Sequence, residues 1–253
     1  MRTITSPGPD PGHGQPGAES NGRTTRRLLL CGAIAGPLFV VAFLIQGATR
    51  AHYDPLRHPV SSLALGEYGW VQTANFILTG VLTLAFAVGL RRALKASAGR
   101  PHSTIRGSLW GPILVGVWGA MLVGAGLFTT DPVSGYPPGT PDLLVEYSSL
   151  SAELHDLLSL PGFVAIPIAC VVFAVRFART REVGWVVYSA VSATGFVLAD
   201  VLASMAFGQN PSLVAYGGLV QRLAVTIGWA WLTLLAVRLL RRRPSTPAPV
   251  TRR

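Results

Sequence analysis

Residues 28–47 read LLLCGAIAGPLFVVAFLIQG and contain no charged side chain over 20 positions. An α-helix rises about 1.5 Å per residue, so about 20 apolar residues cross the roughly 30 Å hydrocarbon layer of a bilayer. The stretch is also longer than the apolar run of about 7–15 residues in a signal peptide. We therefore expect it to be retained as a first transmembrane helix.

Five further segments have the same length and character. They are residues 70–90, 109–128, 157–175, 185–207 and 219–237. In the whole chain of 253 residues, 50% are hydrophobic and 13% are charged, against about 25% charged residues in a soluble domain. A soluble all-α protein with buried helices is the disfavoured alternative, and the alternation typical of a transmembrane β-barrel is absent from these segments. The sequence predicts an all-α, polytopic integral membrane bundle of six transmembrane helices, with residues 28–240 as one domain.

The basic residues predict how this bundle is oriented. If the N-terminus is cytoplasmic, the cytoplasmic segments are 1–27, 91–108, 176–184 and 238–253. These segments hold 18 of the 21 basic residues, and short loops rich in Lys and Arg remain in the cytoplasm. We therefore expect a multi-pass protein with both termini cytoplasmic, and the net charge of +10 is explained by topology.

The two ends of the chain have the composition of tails. Residues 1–27 are rich in Pro, Gly, Ser and Thr, and residues 241–253 read RRRPSTPAPVTRR. Neither composition buries a core, so both are expected to be disordered. We expect their arginines to contact anionic membrane lipids and not nucleic acid.

Small residues recur at helical spacing in several of the predicted spans. The pairs are Gly32 and Gly36, Gly107 and Gly111, Ala120 and Gly124, and Ala224 and Gly228. Such pairs let helix backbones approach closely in a membrane. They favour a compact bundle and leave the oligomeric state open.

Polar side chains form a stripe within the second span. Asn75, Thr79 and Thr83 recur every four residues and therefore share one helix face. Polar groups are costly against lipid, so this face is expected to point into the bundle. Its side chains are predicted to form interhelical hydrogen bonds or to contact a ligand.

Asp200 is the one acidic residue within a predicted span. An acid at the centre of a membrane helix costs about 2.5–3.5 kcal/mol on insertion scales, so it is usually paired, protonated or functional. Three interpretations remain open from the sequence. Asp200 pairs with Arg222 at a similar depth on the sixth helix, serves as a proton or ligand site, or faces water.

Histidines and carboxylates gather in the segments predicted to face outward. They are His52, Asp54, His58, Asp131, His155 and Asp156. Imidazole and carboxylate groups bind zinc, but the spacing matches no established metal motif. We therefore predict no metal and no cofactor. Acid–base chemistry, helix capping and hydrogen bonding remain as alternative roles for these groups.

Several short motifs in and around these segments resemble a known family. They are HPVSSLALG at 58–66, GWVQ at 69–72, NFILTG at 75–80, LFTTDP at 127–132 and LHD at 154–156. Together they resemble the domain-of-unknown-function 998 family of bacterial membrane proteins, over about residues 28–240. The resemblance implies six helices in a bacterial cytoplasmic membrane and no established activity. It draws attention to His58, Ser61, Asn75, Asp131 and His155.

The predicted function is binding or moving a lipid or small ligand, without catalysis, in a polar cavity that faces outward. The candidate ligand-binding residues are His58, Ser61, Asn75, Thr79, Asp131, His155, Asp156, Asp200 and Arg222. One alternative is an enzyme acting on lipid headgroups at the outer leaflet, with His155 as general base or ligand and Asp131 or Asp156 as its partner. Another is a structural or accessory membrane subunit. Phosphate-binding and dinucleotide motifs are absent, which disfavours a nucleotide-driven pump.

Overall fold

A computed structural model describes residues 16–96, 105–141 and 148–241, and this part of the chain is helical without a β-strand. The helices are α1 Pro16–Thr49, α2 Gly69–Ala96, α3 Ile105–Leu127, α4 Leu150–Arg179, α5 Val183–Phe207 and α6 Gly217–Arg241. Two short 3-10 helices, Val60–Ala64 and Val214–Tyr216, lie in the loops. All six long helices are apolar enough to cross a membrane. The predicted all-α fold with six membrane-spanning helices is therefore confirmed.

The six helices form a closed ring. Each helix packs against the next one in the chain, and α1 also packs against α6. The α1–α2, α3–α4 and α5–α6 loops meet at one end of this ring, where residues 50–68, 128–141 and 208–216 contact one another or the start of α6. We call this end the loop end.

Aromatic side chains from five helices fill the centre of the ring. The Trp118 ring on α3 lies 5.8 Å from that of Trp229 on α6 and 5.9 Å from that of Phe163 on α4. Phe39 of α1 and Phe196 of α5 complete the group, at 5.4 Å from Trp229 and 6.1 Å from Trp118. The three contacts of Trp118 are edge-to-face, an arrangement that is favourable for aromatic rings at these distances. Large apolar side chains are exposed on the outside of the ring, as expected for a surface that faces lipid.

Glycines allow the helices of the ring to approach closely. A Cβ atom on Gly80 of α2 would lie 2.8 Å from the carbonyl oxygen of Gly119 on α3, so a larger residue would force these helices apart. Described members of the predicted small-residue pairs also lie at helix contacts: Gly32 against Phe86, Gly36 against Trp229, Gly111 against Phe173, Gly124 against Leu158, and Gly228 against Phe196. Close packing of the bundle thus depends on these positions.

The first helix begins earlier than the sequence analysis predicts. Residues 16–27 were assigned to a disordered tail, but they continue α1 from Pro16. Proline is favoured in the first turn of a helix, and the Thr24 and Thr25 hydroxyls donate to carbonyl oxygens one turn back. No proline lies between this turn and the apolar span. The remaining tail residues, 1–15 and 242–253, lie outside the described residues.

Candidate functional site

Arg222 on α6 binds the α1–α2 loop at the loop end. Its Nη1 donates to the carbonyl oxygens of Pro55 at 2.6 Å, His58 at 3.0 Å and Gly218 at 2.9 Å. Its Nη2 donates to the Tyr53 hydroxyl. The side chain is only 8% exposed. A buried guanidinium therefore holds the loop against α6 through carbonyl oxygens.

Tyr53 connects the same loop to Arg222. Its hydroxyl donates to the carbonyl oxygens of His58 at 3.1 Å and Pro59 at 2.9 Å, and its ring lies 5.4 Å from the Arg222 guanidinium. Burial raises the pKa of Tyr53 to about 12, although Arg222 acts to lower it. The hydroxyl therefore remains protonated and available as a donor.

His58 joins this loop to the α3–α4 loop. The backbone N–H of Asp54 donates to its Nδ1 at 2.9 Å, and its Nε2 lies 3.1 Å from the Ser134 carbonyl oxygen. Because a carbonyl only accepts, Nε2 carries the proton and the imidazole is neutral. Burial lowers the pKa of His58 below its ordinary value, although the bond to Ser134 acts in the opposite direction. Both ring nitrogens are thus occupied by structural hydrogen bonds.

Tyr136 packs against these groups from the α3–α4 loop, with its ring 5.2 Å from those of Tyr53 and His58. We call Tyr53, His58, Tyr136 and Arg222 the loop cluster. Among the described residues, no carboxylate forms an ion pair with Arg222. The Asp200–Arg222 pair considered from the sequence is not formed, because Arg222 is turned toward the loop carbonyls.

Asp131 fixes the start of α4. Its carboxylate accepts hydrogen bonds from the backbone N–H of Ser148 at 2.8 Å, the backbone N–H of Ser149 at 3.1 Å and the Ser149 hydroxyl at 2.7 Å. Burial acts to raise its pKa, but the hydrogen bonds from Ser149 and Ser148 bring the pKa of Asp131 below its ordinary value. The Ser149 hydroxyl in turn accepts from the Ala152 N–H as the helix cap. Helix α4 consequently begins at Leu150 and not at the predicted residue 157.

This earlier start places His155 within α4. Its Nδ1 lies 2.7 Å from the Phe128 carbonyl oxygen, so Nδ1 carries the proton. The side chain is 5% exposed and lines a cavity inside the bundle. Its Nε2 has no hydrogen-bond partner in the described part of the chain, which leaves a fixed acceptor available to a ligand.

The inner cavity beside His155 has a volume of about 100 Å³. Its polar lining consists of Ser61, His155, Asp156, Ser159 and Gln221, and aromatic side chains including Phe76 and Trp118 form much of the rest. The backbone N–H of Val60 donates to Gln221 Oε1 at 2.8 Å. This bond assigns the amide orientation and leaves Gln221 Nε2 as a donor.

A larger lateral cavity of about 540 Å³ adjoins the inner cavity between α4 and α5. The two cavities share the lining residues Asp156, Ser159, Phe163 and Gln221. Asp200 lines the lateral cavity and is half-buried. No Lys or Arg side chain lines either cavity in the part of the chain that the structure describes.

The polar stripe of α2 points into the bundle, and its donor groups form local hydrogen bonds. The Thr79 hydroxyl donates to the Asn75 carbonyl oxygen at 2.6 Å, and the Asn75 amide donates to Gln72 Oε1 at 3.3 Å. Gln46 of α1 donates to the same Gln72 oxygen at 2.8 Å. Asn75 also donates to the Phe39 carbonyl oxygen of α1 at 3.4 Å, whereas Thr79 bonds only within α2, and neither residue lines the two cavities.

The structure thus divides the predicted ligand-binding residues into separate groups. Ser61, His155, Asp156 and Asp200 line the adjoining cavities, whereas His58, Asn75, Thr79, Asp131 and Arg222 form the scaffold contacts described above. Sequence reasoning missed Glu153, Ser159 and Gln221. The position of Ser159 one turn after His155 was a signal, since residues four apart share a helix face. Within the described ranges, no group of three or more His, Cys, Asp or Glu side chains is placed to hold a metal.

Comparison with known proteins identifies a family. Residues 33–238 match the family described as Protein of unknown function (DUF998). No curated protein and no solved structure matches the chain. The matched range contains every residue that lines the two cavities, and it confirms the resemblance noted from the short motifs.

Proposed function

The chain belongs to the DUF998 family of proteins of unknown function, and we propose that this multi-pass membrane protein binds a lipid or small amphipathic ligand in its lateral cavity. One observation carries the proposal. Asp200 lies on a membrane-spanning helix and lines a cavity of about 540 Å³, and it is not neutralised by Arg222. An acid at this position is costly to insert, so its position beside a cavity favours a functional role.

The size and lining of the lateral cavity suit an amphipathic molecule. Small-molecule sites commonly have volumes of about 300–1,000 Å³, with apolar walls and a few polar groups. Leu157 and Leu160 form part of the wall and are 62% and 63% exposed on the outside of the bundle. A ligand therefore has an apolar route between α4 and α5 from the surrounding lipid.

The proposal includes the orientation and location of the protein. The excess of basic residues in segments 1–27, 91–108, 176–184 and 238–253 supports cytoplasmic termini. The loop end then faces outward from a bacterial cytoplasmic membrane, and the lateral cavity receives its ligand from the outer leaflet. Movement of the ligand across the membrane would extend this binding function.

An enzyme that acts on lipid headgroups is the second candidate. The position of His155 favours it, because an imidazole that is held through Nδ1 by the Phe128 carbonyl oxygen and lines a cavity is placed to act as a general base. The larger acid–base group considered from the sequence would also need His58 and Asp131. Both side chains are engaged elsewhere, so such chemistry would depend on His155, which lines the inner cavity.

The test is native mass spectrometry of the full chain purified in a mild detergent. We expect a bound lipid or small molecule on the wild type. The Ser159→Phe variant fills the junction of the two cavities and should lose this species. The matched control is Val164→Phe, a change on the lipid-exposed face of the same helix, which should retain it. A wild type without a bound species, or equal occupancy in Ser159→Phe, would contradict the proposal.

The same measurement separates binding from catalysis. The His155→Gln variant keeps a polar side chain but loses the imidazole base. If the protein only binds its ligand, the mass of the bound species is the same in the wild type and in this variant. If it is a lipid enzyme, the wild type releases a cleaved headgroup from added lipid and His155→Gln does not.

A further inference from the structure

We infer that the ligand of the lateral cavity carries a primary ammonium group on an apolar chain, and that Asp200 binds this ammonium group. The inference rests on the proposed function and specifies the chemical class of the ligand. It follows from the charge of the cavity, the depth of Asp200 and the free acceptor on His155.

The lateral cavity is lined by acidic groups without basic ones. Glu153, Asp156 and Asp200 contribute carboxyl side chains, and none of the described lining residues is Lys or Arg. Arg222 follows Gln221 in the chain, but its guanidinium donates to the carbonyl oxygens of Pro55, His58 and Gly218 and does not line the cavity. The field inside the cavity therefore favours a cation and opposes an anion.

Asp200 lies inside the membrane-spanning part of α5, where the energy of an ion pair is larger than at the surface. It precedes the end of α5 at Phe207 by seven residues, which corresponds to about 10 Å along the helix. Leu157, Leu160 and Ala203 lie around it in the cavity wall. Attraction between a carboxylate and an ammonium group is stronger in such apolar surroundings than in water. The same wall accommodates the apolar chain of the ligand.

His155 supplies an independent indication of a ligand with N–H donors. Its side chain is 5% exposed, and its free Nε2 is an acceptor at the inner cavity, which adjoins the lateral cavity at Asp156. A primary ammonium group has three donors, whereas a quaternary one has none. Phe163 and Phe207 also line the lateral cavity, and aromatic rings attract cations. Gln221 Nε2 is available to an oxygen of the ligand near its amine.

The experiment uses three probes with the same apolar chain: dodecylamine, dodecanol and dodecanoate. Each is titrated calorimetrically into the full chain in dodecyl maltoside, with empty micelles subtracted. Dodecylamine should bind to the wild type more tightly than the other two. In Asp200→Asn its Kd should rise about tenfold or more, equivalent to about 1.4 kcal/mol.

Two further variants serve as controls for Asp200→Asn. Glu67→Gln removes an exposed carboxyl group of the α1–α2 loop and should leave dodecylamine binding unchanged. Asp200→Glu restores a carboxylate and should bind dodecylamine more tightly than Asp200→Asn. If Asp200→Asn does not fold, the ranking of the three probes on the wild type still decides the inference.

The outcomes distinguish this inference from the proposed function. If dodecanol or dodecanoate binds as tightly as dodecylamine, and Ser159→Phe abolishes this binding, the cavity binds amphiphiles and the ammonium inference is wrong. Unchanged dodecylamine binding in a folded Asp200→Asn also overturns it. If no probe binds and no lipid co-purifies, both the inference and the proposed function fail.

A competition experiment identifies the source of the ammonium group. Dodecylamine is titrated in nanodiscs that contain phosphatidylcholine alone or with phosphatidylethanolamine. Weaker apparent binding in the second case supports a membrane lipid with an amine headgroup. Equal binding in both supports a free lipophilic amine.

Discussion

His58 and His155 are both 5% exposed at the loop end, yet their surroundings differ. His58 uses both ring nitrogens, one toward the Asp54 N–H and one toward the Ser134 carbonyl oxygen. His155 uses only Nδ1, and its Nε2 is left without a partner beside a cavity. Burial alone therefore does not separate a structural histidine from a candidate ligand-binding one. The number of hydrogen bonds that each ring makes does.

Arg222 in the loop cluster and Asp200 in the lateral cavity also differ in whether their charged groups have partners. Arg222 in the loop cluster is saturated by carbonyl oxygens and the Tyr53 hydroxyl. Asp200 in the lateral cavity has no Lys or Arg among the described lining residues. The loop cluster is thus a closed scaffold, and the cavities are the open region that this scaffold supports. Substitutions in the two regions should have different consequences.

The largest expected effect is that of Arg222→Met. This change removes the guanidinium that donates to the loop carbonyl oxygens of Pro55 and His58 and to the Tyr53 hydroxyl, and it leaves buried acceptors short of a donor. We expect a loss of about 3 kcal/mol in the free energy of unfolding, since each unsatisfied buried group costs about 1–3 kcal/mol. Thermal unfolding in detergent, followed by tryptophan fluorescence, measures it.

The control for Arg222→Met is Thr226→Ala, one turn further along α6 and exposed. It should change the melting temperature little. If Arg222→Met and Thr226→Ala both have the melting temperature of the wild type, the loop cluster does not stabilise the fold. The proposed difference between the loop cluster and the cavities would then be wrong.

A smaller loss in the free energy of unfolding is expected for Asp131→Asn. This variant tests whether the start of α4, which carries His155 and other cavity residues, needs the Asp131 carboxylate. The variant loses charge-assisted hydrogen bonds to Ser148 and Ser149, at a cost of about 2 kcal/mol. Because the pKa of Asp131 is lowered in the folded protein, its contribution is present above its ordinary pKa and is lost as the pH falls through the lowered value. Unfolding measured at pH 7 and at about pH 2, below the ordinary pKa of an aspartate, checks both points.

Glu67→Gln is the control for Asp131→Asn, since Glu67 is an exposed loop carboxyl group. The difference between wild type and Asp131→Asn should be larger at pH 7 than at acid pH. A difference that grows on acidification would contradict the proposed role of the Asp131 carboxylate.

The smallest effect is expected for His58→Asn, and it concerns pH. The asparagine oxygen retains an acceptor for the Asp54 N–H but cannot be protonated. Because the pKa of His58 is lowered in the folded state, wild-type stability should fall as the pH drops below about 6.5, where the unfolded chain takes up the proton first. His58→Asn should reduce this slope between pH 7 and pH 5, as measured by the melting temperature.

His52→Asn provides the control for the pH experiment. His52 is exposed and has a φ of 59°, a conformation that asparagine tolerates. This variant should keep the wild-type slope. A slope that persists unchanged in His58→Asn, or disappears in His52→Asn, would assign the pH dependence to other groups.

The spans were predictable because crossing a bilayer imposes a length and a composition that can be read locally. Residues 28–47 satisfy both requirements without reference to any other segment. The start of α4 was not predictable in this way, since the hydrogen bonds from Asp131 to Ser148 and Ser149 bring together residues from two ends of a loop. The candidate site was predictable only in part, because residue type selected His58 and His155 equally.

The sequence by itself determined the six membrane-spanning helices and membership of the DUF998 family, because apolar runs and short motifs are properties of contiguous residues. Only the tertiary structure decided which polar side chains form hydrogen bonds within the protein and which are available to a ligand. From the sequence, Arg222 is a plausible partner for Asp200. In the structure its guanidinium instead donates to the carbonyl oxygens of Pro55 and His58. The physical reason is that satisfaction of a buried polar group depends on atoms distant in the chain, whose positions are determined by packing.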